Sequence, residues 1–132
     1  MIPLPSDATD AALLLLRLMV ALVFVASGWN HLRDPAGRAE SIDMSKQFTV
    51  FLGAAEVLGG LGVVAGVLTQ WAALGLILLM LGAIQKKIAV WHTGFWGKNA
   101  TGWHYDLMLV VMNLVILATD GGRWTLSRLL FR

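Results

Sequence analysis

The sequence predicts an all-α integral membrane protein, an antiparallel four-helix bundle with a short interfacial helix at its C-terminal end. Three observations carry that prediction. Hydrophobic residues fill 58 % of the 132 positions and charged residues 14 %, and the mean hydropathy is +0.72, outside the range of ordinary soluble domains. Four apolar segments, Ala11–Ser27, Phe48–Leu68, Trp71–Trp91 and Trp103–Thr119, approach the ~20 helical residues that a bilayer core requires. The few ionisable residues inside them, Arg17 and Glu56 above all, are the kind a membrane segment keeps for a partner or a function. A soluble helical core is excluded on size, because so short a chain cannot bury nearly every face of four helices.

The first segment reaches spanning length if Gly28–His31 continue its helix, giving a span over about residues 11–31. Its flank, Ser6-Asp7-Ala8-Thr9-Asp10, is acidic and lacks the basic region of a signal peptide, so the span is expected to be retained. The connection Arg33–Gln47 carries Asp34-Pro35 and Ala36-Gly37 and reads as a turn. The second and third spans, 48–68 and 71–91, are separated by little more than Thr69-Gln70 and must form a tight hairpin. The loop His92–Gly102 is rich in aromatic residues and glycine and belongs at the membrane interface. It leads into the fourth span, 103–119. The tail Arg123–Arg132 alternates arginine with apolar residues such as Leu126, Leu130 and Phe131, as a surface-lying amphipathic helix does.

Positive charge gives a weak orientation. Arg33, Arg38, Lys46, Lys86, Lys87 and Lys98 share the face with the two longer loops, against Arg123, Arg128 and Arg132 on the face with the termini. The excess favours the loop face as cytoplasmic. The pI of 9.4 reports these membrane-edge charges and headgroup contact, not a nucleic-acid partner.

Helical periodicity gives each span one polar stripe. Arg17, Phe24, Gly28 and His31 share one; Glu56, Gly59, Gly60 and Val63 another; Gln85 and His92 a third; Asp106, Asn113 and Asp120 a fourth. Glycines beside Glu56 let a neighbouring backbone approach. At 1.5 Å rise per residue, Glu56 and Asn113 lie about 12 Å below the loop face and Arg17 roughly 18–20 Å below it. An arginine side chain can span the difference, so an Arg17–Glu56 intramembrane ion pair is expected. Asp106 or lipid headgroups are the alternative partners for Arg17. Such a pair serves equally well as a purely structural device that fixes helix register.

His31, His92 and His104 end or begin spans at the same membrane face. They lack any short metal-ligand spacing, and no metal is expected. They also sit too near the surface to act as facing axial haem ligands. Hydrogen bonds to loop carbonyls are their plain reading, and a shared site for a polar headgroup or a quinone ring is compatible with it. The chain has no cysteine, so thiol chemistry and disulfides are excluded. A Gly-x-Ser-x-Gly elbow and a phosphate-binding glycine loop are also missing, and Gly59-Gly60-Leu61-Gly62 lies inside an apolar helix.

At these residues the chain resembles the DoxX-like family of small four-helix membrane proteins. Arg17-Leu18, Phe24, Gly28 and His31-Leu32 are similar to that family's opening pattern. Glu56-Val57-Leu58-Gly59-Gly60, running to Gly66 and Thr69, matches its Glu-x-x-Gly-Gly segment, and Gly102–Leu107 and Gly121–Trp124 also fit. Two departures are Ala21, where the family often has glycine, and His104-Tyr105-Asp106, where it often has Glu-aromatic-Asn. The family is similar to the membrane subunit of thiosulfate–quinone oxidoreductases, which implies a redox or quinone-linked role in a bacterial-type inner membrane.

The expectation is therefore a membrane oxidoreductase subunit that binds a quinone or similar small apolar molecule between its helices. Glu56 and Arg17 would form the polar floor, with His104 and Asp106 as further candidates for proton exchange. His31, Trp29, His92 and Asn113 would hold the ring. The lipid bilayer is one partner, and a protein of a membrane complex or further copies of the chain the other. A non-catalytic anchoring subunit is the alternative reading, followed by a small-solute transporter.

Overall fold

The computed structural model of the chain describes residues 2–42, 44–98 and 102–130. Among them the backbone forms helices and no strand: α1 (Ala8–Arg33), α2 (Pro35–Ile42), α3 (Lys46–Ala65), α4 (Thr69–Gln85), α5 (His104–Thr119) and α6 (Leu126–Leu130). The antiparallel helices α1, α3, α4 and α5 make the bundle. Three helices, Ala8–Arg33, Lys46–Ala65 and Thr69–Val90, are long and apolar enough to cross a membrane, and His104–Thr119 is a shorter apolar helix.

The bundle is built for lipid. Leu15 and Leu22 are each 67 % exposed and Leu58 is 69 % exposed, whereas Arg17, Glu56, Asp106 and Asn113 are buried. Apolar side chains outside and polar ones inside invert the soluble pattern. An apolar core of Val20, Phe24, Val63, Leu76, Leu109 and Ile116 fills the middle. Of the expected stripes, that on α1, all of that on α3 but the half-buried Gly59, and the first two members of that on α5 are buried as predicted.

The closest helix pair is α1 with α3. A Cβ on Gly28 would stand 2.6 Å from the Gly53 carbonyl oxygen, and one on Gly53 would stand 2.9 Å from the Gly28 carbonyl. Each glycine thus admits the other's backbone, the small-residue packing that membrane helices use. Ala21 lies in the same seam, opposite Gly60.

Four features differ from the sequence expectation. The segment 34–42 is a helix rather than a turn, because Asp34 accepts from the Gly37 amide at 3.2 Å and Pro35 opens the first helical turn, a helix-start signature. The second span stops at Ala65 rather than residue 68, because Gly66 turns left-handed at φ 75° and its amide donates to Gly62 O. The hairpin is therefore residues 66–68, and Thr69 already belongs to α4. Beyond Gln85 the third span continues as a π-helical turn, Lys86–Val90. The wider turn slips the register between Gln85 and His92; both are exposed and do not form a buried stripe. The interfacial C-terminal helix is α6, with the Thr125 hydroxyl accepting from the Arg128 amide at 3.2 Å; Phe131 and Arg132 lie outside the described residues.

Gly53→Val is expected to force α1 from α3 and cost about 2 kcal/mol, read as a lower melting temperature of the protein in detergent. Gly75→Ala, on an open face of α4 where a Cβ meets nothing within 4 Å, should leave melting unchanged or raise it slightly.

Candidate functional site

The two intramembrane charges face opposite ends of the bundle. Arg17 is fully buried and points to the hairpin end. Its Nε donates to Val63 O at 2.8 Å and one terminal nitrogen to Val64 O at 2.7 Å. The other donates to Trp124 O at 2.7 Å and Gly121 O at 3.4 Å. Val63 and Val64 belong to the last turn of α3, whose carbonyls have no intrahelical donor and carry the negative end of the helix dipole. The guanidinium neutralises that end and ties the 121–124 turn to it. The expected Arg17–Glu56 ion pair does not form, nor does one with Asp106. Glu56 lies seven residues before Val63, roughly 10 Å further along α3, and the Arg17 donors are already engaged. The same end is closed by Asp10, which accepts from the Arg123 amide at 2.9 Å and from its Nε at 2.8 Å. That hydrogen bond holds the exposed Arg123 guanidinium above its usual pKa.

At the loop end the helices enclose a cavity of about 630 Å³. Its polar side chains come from different elements: Ser27 and His31 from α1, Arg38 from α2, Glu56 from α3, Gln85 from α4, Lys86 and Lys87 from the π-helical turn, and Tyr105 and Asp106 from α5. Phe24, Leu52, Leu79 and Leu109 supply apolar wall. Glu56 is 3 % exposed, and its Oε2 has no hydrogen-bond partner. His31 Nδ1 lies 3.7 Å from that oxygen, beyond hydrogen-bond length. The same nitrogen lies 2.7 Å from Ser27 O. A carbonyl can only accept, so Nδ1 carries the hydrogen and Nε2 of the neutral ring is left as an acceptor. Across the cavity, Lys87 Nζ meets Asp106 Oδ2 at 2.7 Å. One carboxylate is thus paired and the other has an unused oxygen.

Of the residues singled out from sequence, Glu56, His31 and Asp106 come together here. Arg17 belongs to the opposite end. His104 stands beside the cavity in the 92–102 loop contacts, with Nδ1 2.8 Å from Phe95 O and its ring 4.9 Å from that of Trp96. This is the loop-carbonyl role that the sequence allowed it. His92 and Trp29 are exposed outside the cavity. Asn113 is fully buried in the core, donating to Leu109 O at 2.9 Å. Sequence reasoning passed over Arg38, Lys87 and Tyr105 as cavity residues. Arg38 is brought in by the unforeseen α2 and Lys87 by the π-helical turn, and neither displacement follows from a regular helical period.

The family model described as DoxX matches residues 12–93, from α1 through the π-helical turn. The chain belongs to the DoxX family. It is also 32 % identical over 127 residues to the uncharacterized membrane protein Rv3486 of Mycobacterium tuberculosis, covering 86 % of this chain and 77 % of that one. No solved structure matches the chain. The DoxX match takes in Arg17, His31, Glu56 and Lys87, and ends before Asp106.

Arg17→Leu strands the carbonyls of Val63, Val64 and Trp124 without donors and is expected to destabilise the fold by about 3 kcal/mol. Arg17→Lys keeps the charge but not the planar fork and should fall in between. Glu56→Gln, which removes no hydrogen bond at Oε2, should melt with the wild type. Thermal melting of the purified proteins in one detergent checks all three.

Proposed function

We propose that this DoxX-family protein binds a quinone at the loop-end cavity and serves a membrane redox complex, with Glu56 and His31 handling the protons of the bound quinol. The observation that supports this reading best is the unpartnered Glu56 Oε2 in a largely apolar chamber. Leaving a buried carboxylate oxygen without a donor is costly, and a quinol hydroxyl is a neutral donor that would satisfy it. His31 Nε2, the free acceptor of the neighbouring ring, offers a second contact. A quinone ring fits the cavity volume and the mixture of apolar wall and few polar groups typical of small-molecule sites.

Oxidation of a quinol releases two protons and two electrons. The carboxylate and the imidazole are the acceptors for the protons, and a partner redox protein of the complex takes the electrons. Asp106 already meets the Lys87 ammonium at 2.7 Å, whereas Glu56 Oε2 has no hydrogen-bond partner, so Glu56 is the carboxylate placed to take a proton from the quinol. A bacterial-type inner membrane, where quinones are dissolved, is the compartment this role requires.

Binding of decylubiquinone to the purified protein, followed by quenching of tryptophan fluorescence, tests the proposal. Glu56→Gln should weaken the reduced form about tenfold, equal to about 1.4 kcal/mol, and His31→Ala by a similar factor. Both variants should keep wild-type melting. Unchanged affinity in two well-folded variants would remove Glu56 and His31 from the site.

A further inference from the structure

We infer that the cavity is entered sideways from the lipid, through a cleft between the N-terminal half of α3 and the C-terminal half of α4, and that its ligands are quinones with an apolar tail lying in that cleft. This inference rests on the quinone reading and specifies its ligand class and route.

The hairpin sets the geometry. Near it, α3 and α4 touch closely: a Cβ on Gly59 would stand 2.8 Å from Leu76 Cδ2, and one on Gly62 3.2 Å from Ala72 Cβ. Toward the loop end, residues of both helices border the cavity. Gly82 lines the cavity, yet a Cβ placed on it meets nothing within 4 Å. Two rows of residues then face the gap at four-residue intervals, which keeps each row on one helix face. On α3 they are Phe48, Leu52 and Glu56; on α4 and its extension, Leu78, Gly82 and Lys86.

Both rows reach lipid. Leu78 is 61 % exposed and Phe48 40 % exposed while lining the cavity. Leu78 lies eight residues before Lys86, roughly 12 Å along the helix from that charge, within an apolar segment long enough to cross a membrane. An opening at this depth meets acyl chains rather than water. The α3 row therefore runs from an exposed aromatic ring to a carboxylate that is 3 % exposed. A molecule matching it has a hydrogen-bonding head at Glu56 and His31 and an apolar tail along Leu52, Leu78 and Gly82. At position 82 a Cβ would meet open space, so a large side chain introduced there can enter the cleft without displacing a neighbour.

The test compares decylubiquinone with the same benzoquinone head lacking its tail, both titrated against the full chain in lipid nanodiscs. Partition of each probe into lipid is common to all variants and cancels in their ratios. Gly82→Phe is expected to weaken decylubiquinone about tenfold while changing the tail-less head less than about twofold. Leu52→Trp, which narrows the cleft from the other helix, should give the same selective loss. Gly75→Phe, on α4 outside the cavity with equally open surroundings, should alter neither probe. A loss that is equal for the two probes, or no loss in either cleft variant, overturns the lateral route while the quinone site stands. A wild-type protein that binds neither probe overturns the quinone reading and the route with it.

Discussion

The grip of Arg17 on the carbonyls of α3 organises the rest of the molecule. In hydrocarbon every backbone polar group must be satisfied within the protein, and the last turn of a helix is where that requirement is hardest to meet. Gly66 satisfies part of it by turning back onto Gly62 O. Arg17 supplies Val63 and Val64, and then reaches Trp124 from the chain's return. A Cβ at Gly66 would stand 2.8 Å from the Arg17 guanidinium, so the tight hairpin and the arginine specify each other. One side chain thereby joins α1, the end of α3 and the segment leading to α6.

Closure at one end has consequences at the other. At the loop end the helices leave a space that α2 and the π-helical turn border without filling. The polar residues of that space are supplied one or two per element, so none of the helices alone carries a site. The energetic contrast between the two ends is informative. At the hairpin end the arginine donors meet acceptors, and the arrangement is structural. At the loop end a carboxylate oxygen is left without a donor, and that is where a ligand has something to offer.

A π-helical turn at the cavity edge is consistent with this division, since such turns concentrate at functional sites. It places the Lys87 ammonium against Asp106, so that one of the two cavity carboxylates has its own counter-ion within the protein. The other, Glu56, has the Ser27 hydroxyl and the His31 ring beside it and no lysine or arginine within ion-pair distance among the described residues.

The sequence by itself determined the all-helical membrane class, the approximate spans and which residues turn inward, because apolar length and helical period are local properties that packing cannot change. It also marked His31 and Asp106 near the loop face and Glu56 about 12 Å below it, since depth follows from residue count along a helix. It did not determine the partner of Arg17. The calculated depth, several ångströms beyond Glu56, already pointed toward the hairpin, but carbonyl acceptors carry no side-chain signal and a carboxylate of opposite charge is the obvious choice on paper. Arg38 and Lys87 were hidden for a related reason. Their places depend on a helix seated across the bundle mouth and on one extra residue in a turn, and both arise from how the helices pack. Only the tertiary structure decided that the two membrane charges stand apart, one satisfied by backbone and the other left open to a ligand.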